Sequence, residues 1–329
     1  MTESPRRERF RWAQVVLALL GVAVLAVLVR RAGEGAIRSA LDDVRPAYLV
    51  LDVAIVACIF VGFALRWRYL LRSFGLDASF GTVLGARVAG LAVGTLTPGA
   101  KLGGEPLRAY LLGRRGVPLG PAIATVIVDR GIELLANVVF AVVYCALFAL
   151  RDVGAAGRVF AVVAAAGAAL VFGVGVAMRR LRTGRSLVPA RFRSVLERLG
   201  AAESTLADID RAMHELVFQH RRRVLVGLGW ALVLNAVIFL DYLTLFAAFG
   251  PLPSLPDLAG SMLGVGFAHA LPVPASIGAL EGAQAAVFEL AGQSHRAIVA
   301  AAAVRLRDIL WTLPGLIYLA VLALRRRTR

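Results

Sequence analysis

Six apolar stretches long enough to cross a bilayer constrain this chain more than any other feature: Trp12–Val29, Tyr48–Leu65, Leu119–Ala149, Arg158–Ala177, Val224–Phe249 and Ala297–Leu324. A membrane helix needs roughly 20 such residues. With 59% hydrophobic residues against about 45–50% in ordinary soluble domains, the excess has to be buried in lipid. The formal charge of +16 comes almost wholly from arginine. Those arginines cluster between the apolar runs, as cytoplasmic flanks do, which argues against nucleic acid as a partner. The first run is preceded by Arg6, Arg7, Arg9 and Arg11 and closed by no small-residue cleavage site, so it reads as an uncleaved first helix. Cys58 and Cys145 lie inside apolar runs and read as small lipid-compatible side chains, with no disulfide framework or cysteine metal cluster.

Two further segments, Phe80–Arg115 and Asp257–Gln293, are apolar but broken in the middle by Pro and Gly. The arginine clusters at 6–11, 66–72, 114–115, 179–185, 221–223 and 325–329 belong on the cytoplasmic side by the positive-inside rule. That assignment closes only if each broken segment enters the membrane and returns to its own side, the first from inside and the second from outside. The link from Arg30 to Arg45 is then outside, where Glu34, Asp42 and Asp43 partly offset its four arginines. The expected fold is an all-α integral membrane protein with about six transmembrane helices and two re-entrant helical hairpins. Its parts are a first helix and outer link (1–47), a first repeat (48–177) with the inner hairpin (80–115) and an additional helix (158–177), a basic cytoplasmic linker (178–223), and a second repeat (224–329) with the outer hairpin (257–293). Both termini are expected in the cytoplasm.

The repeat rests on two matches. Pro98 to Glu105 and Pro274 to Glu281 are both Pro-x6-Glu, 176 residues apart; Ala122, Ile123, Arg130 and Glu133 match Ala297, Ile298, Arg305 and Asp308, 175 apart. Because Tyr48–Leu65 runs inward and Val224–Phe249 outward, the copies are inverted, a design in which broken helices meet near the midplane. Non-helical backbone at membrane depth must be buried in protein or line a wet cavity, so the turn residues Pro98, Gly103 and Gly104, and Pro272, Pro274 and Gly278, are expected to bound such a cavity.

Charges inside the apolar segments point to its contents. Asp129, Arg130 and Glu133 lie roughly 15–21 Å along their helix from its inner end, near mid-membrane; Arg305, Arg307 and Asp308 lie at similar depth from the opposite end. Six unpaired charges there would cost roughly 15–21 kcal/mol, so they must pair or face water. Arg130 with Glu133, Asp129 with Glu133, and Arg305 with Asp308 are spaced to share a helix face. The hairpins add Arg87, Lys101, Glu105, Arg108, His269 and Glu281. The same charges could be ion pairs that only lock the repeats together, or a hydrated groove in which Arg108, Arg130 and Arg305 hold a phosphate. Asp241 reads as a lone acid near an outer helix end, in contact with water. Val188, Phe192, Val195, Leu199, Leu206, Ile209, Met213 and Leu216 recur at helical spacing, which gives an amphipathic segment lying either at the cytoplasmic surface or on the protein itself.

Known catalytic signatures are missing. Gly94 to Lys101 resembles a phosphate loop but lacks the adjacent Gly-Lys-Ser/Thr, and His214-Glu215 lacks a second histidine at position 218. No cofactor or metal is expected.

Pro98 with Gly103, Gly104, Glu105 and Arg108, then Asp129, Arg130 and Glu133, then Pro272, Pro274, Gly278 and Glu281, resemble the lysylphosphatidylglycerol synthase transmembrane family, also called flippase-like. That family includes the lipid-flipping membrane portion of bacterial multiple peptide resistance factors. The second motif departs from the pattern, with Ala275-Ser276 where a glycine pair is usual. The resemblance, over roughly residues 48–325, implies a multi-pass protein of the cytoplasmic membrane. It also implies movement of an anionic phospholipid or lipid-linked glycan between leaflets; it does not imply aminoacyl transfer, which resembles the work of a separate soluble domain. Its partners would be membrane lipids. The alternative is a membrane accessory subunit that holds a lipid-synthesis enzyme or glycosyltransferase. Neither reading fixes headgroup, energy source or oligomeric state.

Overall fold

The computed structural model describes residues 44–97, 102–151, 153–185, 203–271 and 273–327. The first apolar stretch, Pro98, Lys101, Pro272 and the amphipathic positions from Val188 to Leu199 lie outside them. Among the described residues there are ten α-helices and no strands. They are α1 (Pro46–Leu71), α2 (Phe80–Leu96), α3 (Glu105–Gly113), α4 (Leu119–Ala149), α5 (Val153–Arg182), α6 (Glu203–His214), α7 (Arg221–Ala248), α8 (Leu255–Ala270), α9 (Ala279–Leu290) and α10 (Ser294–Arg327). Five of them, α1, α4, α5, α7 and α10, are long and apolar enough to cross a membrane, and each coincides with a predicted span.

The order long helix, broken pair, long helix occurs twice. Pro46 and Arg221, Phe80 and Leu255, and Leu119 and Ser294, the first residues of α1/α7, α2/α8 and α4/α10, each stand 175 residues apart. The packing follows the same duplication: α1 lies along α7, α2 of the first copy packs on α10 of the second, and α8 of the second packs on α4 of the first. Within each broken pair the second helix folds back on the first, α3 on α2 and α9 on α8.

Local sequence sets where each broken pair begins. Ser79 and Ser254 cap α2 and α8 by accepting the N–H of Thr82 and Asp257, at 3.3 and 3.4 Å. In lipid, helices gain little from hydrophobic contact and associate where small residues let backbones approach. Gly104 sits against the Gly90 carbonyl, where a Cβ would fall 1.7 Å from that oxygen; at Gly315 of α10 one would fall 2.1 Å from the Val88 carbonyl oxygen. Apolar side chains instead cover the outside: Val50, Phe172, Leu225 and Val233 are 71, 74, 65 and 62% exposed, and none of the most apolar stretch of α5 is buried. Such a surface is stable only against hydrocarbon.

The described half of the amphipathic segment packs on the protein. Leu206, Ile209, Met213 and Leu216 are buried with Ala124, Val128, Ile132 and Ala136 of α4. An apolar stripe that finds a complementary helix gives up water without needing headgroups.

The outer turn shows what the absent glycine pair does. Ala275 and Ser276 both adopt left-handed backbone, with φ of 50 and 51°, a conformation that costs a non-glycine residue about 1–3 kcal/mol. Replacing Ala275 by Gly is expected to raise stability in detergent by about 1 kcal/mol, read as a higher thermal unfolding midpoint. An unchanged or lower midpoint would mean the turn carries no such strain.

Candidate functional site

The half of the site built by the first copy is an ion-pair lattice on four helices. Asp129 of α4 is fully buried and accepts from three arginines: Arg66 of α1 (Nε 2.9 Å, Nη2 2.8 Å), Arg108 of α3 (Nη2 2.6 Å) and Arg87 of α2 (Nη1 3.4 Å). Glu133, one turn on, accepts from Arg87 and Arg130 and lies 3.6 Å from Arg66. Glu105 accepts from Arg108 at 2.7 Å and stands 3.9 Å from Arg130. Aromatic faces insulate the cations, with Arg108 over Trp67 at 4.1 Å and Arg87 over Phe63 at 4.4 Å. Arg66, Arg87, Arg108 and Arg130 against Glu105, Asp129 and Glu133 leave one formal positive charge. Arg87, Gly90, Leu91, Glu105, Arg108 and Arg130 line a cavity of about 20 Å³, room for about one ordered water.

The half built by the second copy repeats this in altered form. Arg305 of α10 donates to Glu281 of α9 at 2.5 Å and to the Ala275 carbonyl at 2.7 Å, and lies 3.8 Å from Asp308. One arginine thus ties the strained turn to its second leg, while Glu281 also accepts the Gly278 N–H at 2.8 Å. At φ 80° Gly278 takes a backbone that favours glycine. His269 Nε2 is 3.4 Å from Asp308 Oδ2. Arg307, 5% exposed, pairs with Asp241 of α7 and sits between Trp311 and Tyr242, 4.1 and 4.4 Å from their ring centres. The outer turn also touches α2, so the two halves adjoin.

Residues 11–315 match the family model described as the lysylphosphatidylglycerol synthase transmembrane region. The chain belongs to this family. Two relatives from Methanothermobacter thermautotrophicus, each called a UPF0104 membrane protein, are 28% identical over 333 residues (92% of each chain) and 30% identical over 308 residues (88% of this chain, 87% of the relative). A UPF0104 membrane protein of Pyrococcus horikoshii is 28% identical over 129 residues, 38% of each chain. These relatives are archaeal, whereas the resemblance had pointed toward bacteria.

In this family member the sequence-predicted residues Glu105, Arg108, Asp129, Arg130 and Glu133 come together in one lattice, and His269, Glu281, Arg305 and Asp308 in the other. Register equivalents agree: Arg130 and Arg305 stand 175 apart, and each reaches the glutamate of its hairpin and the acid one turn on. Arg307 turns away from that group toward Asp241. Gly103 and Gly104 pack in the inner turn, where a Cβ on Gly103 would come 2.1 Å from the Thr97 hydroxyl.

Three positions need correction or addition. Asp241 is fully buried and paired with Arg307, not in contact with water; a carboxylate so near an apolar helix end is held by a guanidinium where lipid offers no other partner. Arg66, read as part of a cytoplasmic cluster, is fully buried on Asp129. Asp52, fully buried on α1, was missed altogether. Arg66 and Asp241 are also 175 apart, so carrying the repeat offset along α1 finds both. Among the described residues no group of three or more His, Cys, Asp or Glu could hold a metal.

Proposed function

We propose that this membrane protein translocates an anionic lipid headgroup, of a phospholipid or a lipid-linked glycan, through the region between its two charge lattices while the acyl tails stay in the bilayer. One observation carries the reading. Arg130 and Arg305 occupy equivalent positions in the two copies, and their side chains are 19 and 26% exposed while Arg66 and Arg108 are sealed. A purely structural lock would be cheaper in apolar residues than in buried charge. Arginine at two matched stations is what passing a phosphate requires, since its planar fork binds phosphate oxygens by charge-assisted bonds.

The short legs support the re-entrant geometry. With nine and 12 residues, α3 and α9 span roughly 14 and 18 Å, too short for a hydrocarbon layer of about 30 Å. Each hairpin then returns to its own side, α1 and α7 run in opposite senses, and both termini with Arg179–Arg223 face the cytoplasm in a cytoplasmic membrane. Translocation breaks no covalent bond, so the reading assigns no catalytic residue. The phosphate contacts are Arg130 and Arg305, with Arg108 holding Glu105 and Asp129 in place.

The test is transfer of labelled lipids of different headgroups in proteoliposomes, with and without a proton gradient. Arg130→Gln is expected to fold normally, because Glu133 keeps Arg87 and Arg66. Its lipid transfer should fall roughly ten- to a hundredfold, the loss of a bond worth about 1.5–3 kcal/mol. Undiminished transfer in the folded variant removes Arg130 from the path.

A further inference from the structure

The lattice around Asp129 pairs all of its acids, but in the other half Asp52 accepts no hydrogen bond from an arginine among the described residues. Asp52 of α1 and Asp241 of α7 are both fully buried. Asp52 Oδ1 accepts from the Thr244 hydroxyl at 3.3 Å, and Asp241 Oδ2 accepts from Arg307. That leaves Asp52 Oδ2 and Asp241 Oδ1, each buried without a hydrogen-bond partner, on two carboxyl groups that lie within hydrogen-bonding reach of each other. Ionised carboxylates only accept. Two of them cannot satisfy one another, and like charges so close cannot both ionise in a buried site.

We infer that Asp52 and Asp241 form a proton-binding site at the α1–α7 contact, one proton being shared between their facing oxygens. That proton turns one orphaned acceptor into a donor and leaves the trio Asp52, Asp241 and Arg307 formally neutral. Among the described residues the surroundings offer no other counter-ion. The other polar groups facing the trio are Thr244 and Tyr242 on α7, Asp308 on α10 and Tyr144 on α4, none of them cationic, while Arg87 on α2 is turned to Glu133 and Asp129. A metal cation is a poor occupant beside the Arg307 guanidinium. Because α1 and α7 belong to different copies, loss of the proton sets two like charges against each other across the seam between the repeats. The site stands whether or not lipid is the cargo.

The experiment is an infrared titration of the full chain in lipid, paired with thermal unfolding at the same pH values. The wild-type protein is expected to show a protonated-carboxyl stretching band that disappears as the pH is raised, with the unfolding midpoint falling in parallel as the two charges appear. Asp52→Asn keeps a donor toward Asp241 and cannot titrate, so it should fold, lack the band and show a midpoint flat over the same range. Thr244→Val removes the hydroxyl that steadies ionised Asp52, so the band should persist to higher pH; this variant decides the matter should Asp52→Asn fold poorly. Absence of the band in the wild-type protein, its survival unchanged in Asp52→Asn, or an unmoved titration in Thr244→Val would each overturn the inference.

Discussion

Asp129→Asn is expected to destabilise the folded protein by about 3–5 kcal/mol, the cost of removing one partner from a buried ion pair. The expectation is this large because Asp129 serves Arg66, Arg87 and Arg108 at once. An amide removes the charge and offers one acceptor oxygen in place of two. Four arginines would then face two acids, with room for only about one water beside them to solvate the surplus. Thermal unfolding in detergent and the monodisperse fraction on size-exclusion chromatography read the effect. Combining Asp129→Asn with Arg66→Met should recover a substantial part of the loss, because the second change removes an unmatched cation from the same pocket. A single variant that unfolds within about 1 kcal/mol of the wild type would show that the lattice does not hold these helices.

Gly104→Ala and Gly315→Ala come next in size. Each added methyl meets a backbone carbonyl, that of Gly90 at 1.7 Å and that of Val88 at 2.1 Å, and backbone cannot rotate aside as a side chain can. Both carbonyls belong to α2, so relief means moving the first leg of the inner hairpin off α3 or off α10. Overpacking typically costs about 1–3 kcal/mol where side chains can adjust, and these two substitutions should reach or pass the upper end. Gly131→Ala is the control: its site within α4 has nothing within 4 Å, and the change should be neutral or gain up to about 1 kcal/mol in helix propensity. Equal stability of all three variants would contradict the close backbone contact.

The long helices and the repeat were legible because they depend on local composition and on spacing, both of which survive in a single chain. The pairings of Arg130 with Glu133 and Arg305 with Asp308 were legible for a similar reason, since one helix face carries both partners. Arg66 was not. It sits two residues from Arg68 and six from Arg72, which do lie at the exposed end of α1, where they bond Asp77 and hold its carboxyl below the usual carboxylate range. Nothing within α1 distinguishes an arginine that reaches outward from one that turns inward; the difference is Asp129, 63 positions away. Asp241 fails by the same logic, being near a helix end and without an acid or base one turn away. The strained outer turn shows the opposite case. Its departure from glycine was visible in the sequence, but only the structure shows Arg305 bonding the Ala275 carbonyl and so fixing a backbone that Ala and Ser resist.

The matched positions Arg66 and Asp241 carry opposite charges, and that unlikeness has a thermodynamic consequence. Two identical halves related by a two-fold axis can exchange conformations to give two arrangements of equal free energy, so an unbiased molecule would spend half its time in each. Here a cation on α1 answers an anion on α7, their partners Asp129 and Arg307 are swapped to suit, and the acid at Asp52 has Gly227 as its register equivalent. Exchange would no longer connect equals. A difference of only about 1.4 kcal/mol is a tenfold population ratio, so under the proposed translocation the two arrangements would be unequally populated by sequence alone, before any cargo or gradient acts.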